Sequence, residues 1–336
     1  MTVRHRLEET EHLHLNPKAA FSDESRGRVH PEEPSDTDVR TCYQRDADRI
    51  VHSKSFRRLM HKTQVFLSPE GDHYRTRMTH TLEVSRISRS VARALGLNED
   101  LTEAIALGHD LGHTPFGHAG EYALSEMMGK PFRHNEQSLR VVDYLERDGA
   151  GLNLTHEVRM GILGHTGEYV PETLEGQIVR ICDRIAYVNH DMDDAIRAGV
   201  LTDQDIPKDI RRVLGATYRD RITTLVCDTI ENSADADAVN LSPLVSQALT
   251  DLRSFMFERV YRNPDVKGEE AKARDMIKRM YTYYMENPEA IPLDFQPQIS
   301  FDGMERTVCD YIAGMTDHYA VDKFTQLSIP MGWHVR

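Results

Sequence analysis

Apolar side chains recur every three or four positions along much of this chain, which is the spacing of helices that bury one face. Residues 75–95 give the clearest pattern, and Gly96 follows where that helix should end. Comparable patterns predict the following helices: 46–62, 99–113, 117–129, 135–147 and 172–198. Strand-like alternation does not persist beyond a few residues, and the sequence has neither an internal repeat nor a glycine-rich phosphate loop. The pattern therefore predicts an all-α fold.

Polar interruptions divide the chain into three regions. Residues 1–40 are polar and contain several prolines, which predicts an extended or mobile arm. Residues 41–205 are predicted to form the core that carries the chemistry, and this core includes a Ser-Pro-Glu-Gly turn at 68–71. Residues 206–336 are predicted to be a helical region packed on that core, with helices recurring up to about Asn287.

The composition is that of a globular protein with an acidic surface. Of the 336 residues, 39% are hydrophobic and 28% are charged, and the formal net charge is -13. Such a balance disfavours a protein that coats nucleic acid through a broad basic face. An anionic small substrate stays compatible with it, but the site for that substrate must then be locally basic or loaded with metal.

Three features that the sequence lacks bear on the cellular compartment. No apolar run approaches the ~20 residues needed to cross a bilayer, and the first residues lack the apolar centre of a secretory signal. The four cysteines form no CxxC pair and are expected to be reduced thiols: Cys42, Cys182, Cys227 and Cys309. We therefore expect a cytoplasmic protein with no membrane contact. The single tryptophan, Trp333, is expected to be a packing residue.

Candidate chemistry is concentrated in the segment HDLGHTPFGHAGE, where three histidines fall within ten residues. His109 and Asp110 are adjacent and offer a nitrogen and an oxygen to one ion, a donor set that suits Mn, Fe, Co, Ni, Mg or a catalytic zinc. His113 follows four residues after His109, so on a helix the two would share a face. His118 and Glu121 can form a proton-transfer pair. An isolated His-Asp dipeptide is usually structural, but this density around a Pro-Gly bend indicates a site.

Further donors must come from elsewhere in the chain. Upstream, the segment TRMTHTLEVSRIS offers His80, which taken alone would more often be a satisfied helix histidine. Downstream, one side of the predicted helix 172–198 carries Asp183, Tyr187 and Asp191, opposite an apolar side. Periodicity alone leaves two interpretations of that side open, a solvated acidic face and the lining of a cleft.

The spaced set His80, His109-Asp110 and Asp183 resembles the H…HD…D signature of HD-domain phosphohydrolases. More narrowly, the chain resembles the bacterial deoxynucleoside triphosphate triphosphohydrolases, the dGTPase-like proteins. The blocks that carry this resemblance are QRDADRIVHSKSFRRLMHKTQVF, TRMTHTLEVSRI, HDLGHTPFGHAGE, HNEQS and DRIAYVNHDMDDA. They follow the expected order over about residues 40–200, and LRSFMFERVY is similar to the later helices of that family.

The resemblance implies a multi-helix HD-domain fold with additional C-terminal helices, and a hydrolase that cuts a dNTP into a deoxynucleoside and inorganic triphosphate. It implies one divalent metal ion per site, held by His80, His109, Asp110 and Asp183. It also implies a homo-oligomer, in which a second nucleotide can act as an effector at a subunit contact. No residue set in this sequence can be assigned to such an effector site.

The resemblance also implies roles for residues beside the metal. His118 takes the catalytic position, and Glu121 is the acid that orients it. His113 and His134 are expected to face the phosphates, and His113 is also expected to be one of the catalytic residues. Arg77 is expected near the α-phosphate.

Four further residues have expected roles, and the three sugar contacts among them are matched to more distant relatives. Arg184 takes the position of a phosphate-binding cation, and Tyr187 that of an aromatic side chain packed on the sugar. Asp191 and Gln64 match contacts to the sugar 3′-hydroxyl. Crowding by Tyr187 and Gln64 at the sugar 2′ position would then reject ribonucleotides.

Other functions stay open at this point. One is a different HD phosphohydrolase, such as a 5′-deoxynucleotidase or a phosphodiesterase, which would release different products. Another is a regulatory nucleotide-binding protein without turnover, although such a protein would have no need of both His118 and Glu121. A nucleic-acid-binding accessory role is the weakest of the three because of the acidic balance.

Overall fold

The computed structural model describes residues 2–32, 35, 37–64 and 75–330, apart from the side chains of 264–267. The turn expected at 68–71 and the packing role expected for Trp333 lie outside the described residues.

Sixteen α-helices make up most of the described part of the chain, and the all-α prediction is confirmed. The helices are α1 Val3–His14, α2 Cys42–Val51, α3 Lys54–Arg58, α4 Arg77–Leu95, α5 Glu99–Gly108, α6 His118–Met128, α7 His134–Arg140, α8 His156–Gly164, α9 Leu174–Arg197, α10 Lys208–Leu214, α11 Tyr218–Ser233, α12 Pro243–Met256, α13 Pro264–Glu286, α14 Gln296–Asp302, α15 Met304–Ala313 and α16 Asp317–Ser328. Within the described ranges, no helix combines the length and the apolar character needed to cross a membrane.

Two predicted helices are interrupted in the structure. The helix expected at 46–62 breaks after Val51, because the Ser53 hydroxyl accepts a hydrogen bond from the Phe56 amide and starts a new helix there. The helix expected at 99–113 ends at Gly108, so His109 and His113 do not share a helical face and that prediction is wrong.

Residues 109–117 form a loop because α7 holds them there. The Ser138 hydroxyl donates to the His109 carbonyl at 2.7 Å and accepts from the Gly112 amide at 2.9 Å. These bonds replace the helical bonds that the segment would otherwise make.

The N-terminal segment is anchored on the core, which corrects the expectation of an extended or mobile arm. It begins with α1, whose first turn is capped by Thr2. Further on, Arg28 forms an ion pair with the fully buried Asp46 at 2.5 Å. The Ala20 amide donates to the buried Glu175 at 3.0 Å, which ties the segment to α9. The polar residues of this N-terminal segment therefore contact residues far away in the sequence, and such contacts cannot be predicted from the local pattern of polar and apolar positions.

Helix α5 lies at the centre of the core that positions the candidate site, with α2, α4, α8 and α9 packed around it. Glycines let α5 and α8 approach each other closely. A Cβ atom on Gly108 would lie 2.5 Å from Ile162 Cδ1, and one on Gly161 would lie 2.4 Å from Ile105 Cδ1. The C-terminal ends of these two helices therefore lie side by side.

The C-terminal region packs against the loop from behind. The buried Lys62 ammonium donates to the carbonyls of His113 and Ala313, so it bridges the loop to the end of α15. Asp317, at the start of α16, accepts from the amides of Phe116 and Thr63, at 3.0 Å each. The loop of residues 109–117 thus has the core on one side and the C-terminal helices on the other.

We expect Gly112→Ala to destabilise the protein severely, because a Cβ atom there would lie 2.1 Å from the Ser138 amide nitrogen and 2.5 Å from the His134 carbonyl oxygen. Backbone on both sides leaves no flexible group to move, so a loss of about 3 kcal/mol or more is expected. Chemical denaturation measures it. Gly268→Ala is the matched control: that position lies in α13 with open space around it, and the same change should leave stability unchanged or raise it by up to about 1 kcal/mol. Equal stability of the two variants would contradict the packing described.

The burial of Lys62 predicts a stability that rises with pH. Burial, assisted by the positive charge of Arg58, lowers the pKa of Lys62 to about 7 from 10.5. Between these two values the unfolded chain binds one proton more than the folded chain at this position, so the free energy of unfolding should increase with pH. The test is denaturation of wild type and Lys62→Met from pH 7 to 10. The difference between the two free energies should shift in favour of wild type as pH rises, and a constant difference would contradict the prediction.

Candidate metal centre and catalytic cleft

Three separate stretches of chain bring the four predicted metal ligands together. His80 comes from the first turn of α4, His109 and Asp110 from the end of α5, and Asp183 from α9. His80 Nε2 lies 3.1 Å from Asp183 Oδ1 and 3.9 Å from Asp110 Oδ2. His109 Nε2 lies 3.3 Å from Asp110 Oδ1 and 3.7 Å from Asp183 Oδ1. Two groups of described residues have donor atoms close enough to hold one ion, and they share Asp110: His80, His109 and Asp110 form one, and Asp110, His113 and His134 form the other.

The environment of His109 fits a metal ion. His109 Nδ1 donates to the Ala106 carbonyl at 2.7 Å, so the lone pair of the ring is on Nε2. That Nε2 atom is fully buried and, in the described part of the chain, has no hydrogen-bond partner. A buried lone pair without a donor is costly unless a Lewis acid satisfies it. The site therefore suits a divalent ion with mixed nitrogen and oxygen ligands.

The electrostatics of the two carboxylates fit the same assignment. Burial alone would raise the pKa of Asp110, but the neighbouring His109, His113 and Arg77 hold it well below its usual value. Burial likewise opposes ionisation of Asp183, and the hydrogen bond from His80 lowers its pKa below the ordinary range. Both carboxylates are therefore ionised at neutral pH and available as ligands.

His113 has one ring nitrogen directed at Asp110 and one that is free. Its Nε2 lies 3.1 Å from Asp110 Oδ1. Its Nδ1 is buried and, among the described residues, makes no hydrogen bond. The ring of His118 lies beside it, with centroids 6.2 Å apart and the planes nearly perpendicular. His118 itself has an exposed side, and desolvation by the surrounding residues lowers its pKa.

Glu121 pairs with a different histidine from the one expected. Its Oε1 accepts from both the backbone amide and Nδ1 of His134, at 2.9 Å each. Across the described residues no hydrogen bond joins Glu121 to His118, and its negative charge acts on His118 only through space. Burial opposes ionisation of Glu121, but His134 lowers its pKa below the ordinary range. The sequence identified the acid but not its hydrogen-bond partner.

His134 is held by partners on both ring nitrogens. Besides the bond to Glu121, its Nε2 lies 3.2 Å from His165 Nε2. Its ring stacks on His113, with centroids 3.9 Å apart and planes 15° apart. Both ring nitrogens of His134 are therefore already used, and neither is a free donor.

Arg77 and Gln64 meet at the bend before His118. Arg77 is buried, and its Nη1 donates to Asp110 Oδ2 at 3.0 Å. A Cβ atom on Gly117, whose φ is 54°, would lie 3.0 Å from the Arg77 guanidinium and 3.9 Å from the Gln64 carbonyl. Gln64 Oε1 is a buried acceptor with no hydrogen-bond partner in the ranges that the structure describes. The bend thus brings the residue expected at the α-phosphate close to one expected at the sugar.

The acidic side of α9 faces partners rather than bulk water. Asp191 is buried, and Tyr261 donates a hydrogen bond to its Oδ2, while its Oδ1 has no partner among the described residues. Burial raises the pKa of Asp191 to about 7. Tyr187 is half-buried on the same side, and Arg184 is exposed. Of the two interpretations left open for this side of α9, the burial of Asp191 argues against a solvated acidic face.

Sequence reasoning missed three residues of the site, which are Tyr261, His165 and His190. Tyr261 lies in the block LRSFMFERVY, whose resemblance to later family helices was the one available signal. His190 lies between His80 and Glu83, 3.5 Å and 3.1 Å away respectively. His165 had no signal beyond being a histidine.

Two family matches place this site in a class. Residues 77–188 match the HD domain, and residues 239–326 match the phosphohydrolase-associated domain. The HD match begins just before His80 and ends just after Asp183. The chain is therefore an HD-domain phosphohydrolase.

Comparison with whole chains gives the family. A deoxyguanosinetriphosphate triphosphohydrolase-like protein from Caldanaerobacter subterraneus subsp. tengcongensis is 55% identical, covering 99% of this chain and 98% of the relative. One from Desulfatibacillum aliphaticivorans is 48% identical, covering 98% and 99%. The chain belongs to the deoxyguanosinetriphosphate triphosphohydrolase-like family. A solved hypothetical protein from Aquifex aeolicus matches with a TM-score of 0.46 at 20% identity, covering 83% of this chain and 67% of that one.

The assignment of Asp183 as the fourth ligand predicts that Asp183→Ala loses the bound metal. Without that carboxylate, two imidazoles and one carboxylate would face the ion. Metal content of the purified variant, measured by mass spectrometry after reconstitution with one divalent ion, should fall from one ion per chain to near zero. Asp193→Ala is the matched control on the same helix, because Asp193 pairs with Arg75 and not with the ligand set, and it should keep its metal. Full occupancy in Asp183→Ala would rule out the assignment.

Proposed function

We propose that this protein hydrolyses deoxynucleoside triphosphates, dGTP or a broader set, to the deoxynucleoside and inorganic triphosphate. The observation that carries the proposal is the convergence of His80, His109, Asp110 and Asp183 around the buried Nε2 of His109, which has no hydrogen-bond partner among the described residues, with the ring of His118 beside His113. The names of the relatives, which say deoxyguanosinetriphosphate triphosphohydrolase-like, support the same substrate class.

Two buried acceptors support a deoxyribose position. Gln64 Oε1 and Asp191 Oδ1 both lack hydrogen-bond partners among the described residues, and a sugar 3′-hydroxyl can donate to such oxygens. Tyr187 would pack on the sugar and, with Gln64, crowd the 2′ position against ribonucleotides. Arg184 would pair with the phosphate chain from its exposed position.

The reaction places water on the α-phosphorus and breaks its bond to the 5′ oxygen. A metal bound by His80, His109, Asp110 and Asp183 would polarise the phosphate and lower the pKa of bound water. His118, whose pKa is lowered, is neutral near pH 7 and can accept a proton from the attacking water and return it to the departing 5′ oxygen. Arg77 would stabilise charge on the phosphate oxygens, and His113, whose Nε2 faces Asp110, would hold that carboxylate in place.

The proposal includes the setting of the enzyme. We place it in the cytoplasm as a homo-oligomer whose turnover a second nucleotide can regulate. The ion is one of Mg, Mn, Co, Ni, Fe or Zn, since the nitrogen and oxygen donors accept each of these.

Product analysis tests the proposal. Each of the four dNTPs is incubated with the protein and with one divalent ion at a time, and nucleoside, triphosphate and orthophosphate are measured together. We expect equal amounts of deoxynucleoside and triphosphate, and His118→Ala should keep its metal while kcat falls by about 10²–10⁴-fold. Stepwise release of orthophosphate would indicate a different phosphohydrolase. Binding of dGTP without product at every ion would indicate a regulator.

A further inference from the structure

His165 is a buried histidine that the proposed reaction does not use. It is 2% exposed and directly follows α8, beside the end of α5. Its ring lies edge-on to His109, with centroids 5.0 Å apart, and 5.2 Å from the ring of His134. It therefore lies behind both a predicted metal ligand and the histidine that stacks on His113.

The hydrogen bonds of His165 fix which nitrogen carries its proton. Its Nδ1 lies 2.7 Å from the Ile162 carbonyl oxygen, which can only accept, so Nδ1 is the donor. The other ring nitrogen, Nε2, is then the one directed at His134.

His134 is held from two sides. Two lone pairs facing each other across the 3.2 Å between the Nε2 atoms would repel, so one of the two carries the hydrogen that joins the rings. His134 Nδ1 faces the Glu121 carboxylate at 2.9 Å and must donate to it. Two partners on opposite edges leave the ring one orientation, and in that orientation it lies flat against His113 at 3.9 Å.

We infer that His165 is a positioning residue, whose hydrogen bond through Nε2 holds His134 in the orientation that stacks on His113. Its effect on turnover rests on the proposed function. Its effect on the orientation of His134 does not. A buried histidine that only filled space could be replaced by an apolar residue of similar size with little change in either property.

The test compares wild type, His165→Leu and His165→Gln. Glutamine places an amide group near the position of Nε2 and so keeps a hydrogen-bond partner for His134, whereas leucine keeps volume without such a partner. We expect the leucine variant to retain its metal and to lose about 10–100-fold in kcat with little change in KM. The glutamine variant should recover most of that loss. If leucine prevents folding, His165→Met supplies a second apolar side chain of similar volume.

Crystal structures of the same variants give a readout that needs no turnover. His134 should stack on His113 in wild type and in the glutamine variant, and should turn away in the leucine variant. An unmoved His134 in the leucine variant, or equal kcat losses for leucine and glutamine, would overturn the inference. If wild type releases no triphosphate from any dNTP, the proposed function fails, while the orientation of His134 still decides the role of His165.

Discussion

The buried carboxylate of Asp110 is the charge on which the arrangement of this site depends. A carboxylate 3% exposed to solvent is tolerated only where positive groups and hydrogen-bond donors surround it. Arg77 supplies the fixed cation, and His113 lies at hydrogen-bond distance on the other side. Because Asp110 follows the last turn of α5, the loop after α5 must leave the helix so that these groups can converge. The Pro-Gly bend in the sequence serves that purpose.

The structure uses one local arrangement twice to set histidine tautomers. The tripeptide Leu-Gly-His ends α5 at His109 and ends α8 at His165. In each case Nδ1 donates to the carbonyl three residues earlier, which satisfies an acceptor that a helix end leaves open and directs Nε2 inward. The close packing of α5 and α8, with glycine at the contact, then brings the two rings together. One Nε2 is left for a metal, and the other faces His134.

Local patterns predicted the helices and the clustered donors, but not the pairings between them. Helices α4 and α9 followed from their apolar repeat, and the adjacent His109 and Asp110 were visible as a donor pair. The hydrogen bond of Glu121 to His134 was not predictable, because it depends on how α6 packs against the start of α7. The break after Gly108 was missed for the same kind of reason, since bonds from Ser138 replace those of the helix. Sequence spacing contains no information on such long-range bonds.

The candidate site is not a property of the HD segment alone. The loop of residues 109–117 carries His113 and leads to His118, the first residue of α6. It passes through Phe116, whose φ of 60° is uncommon for a residue other than glycine, and such a backbone persists only where neighbours hold it. Asp317 holds it by accepting the Phe116 amide, and Asp317 lies in the last helix of the described chain. Lys62 adds a second bridge from the loop to the C-terminal region. The phosphohydrolase-associated domain therefore stabilises residues 109–117 directly, and so the shape of the candidate site depends on residues far outside the signature.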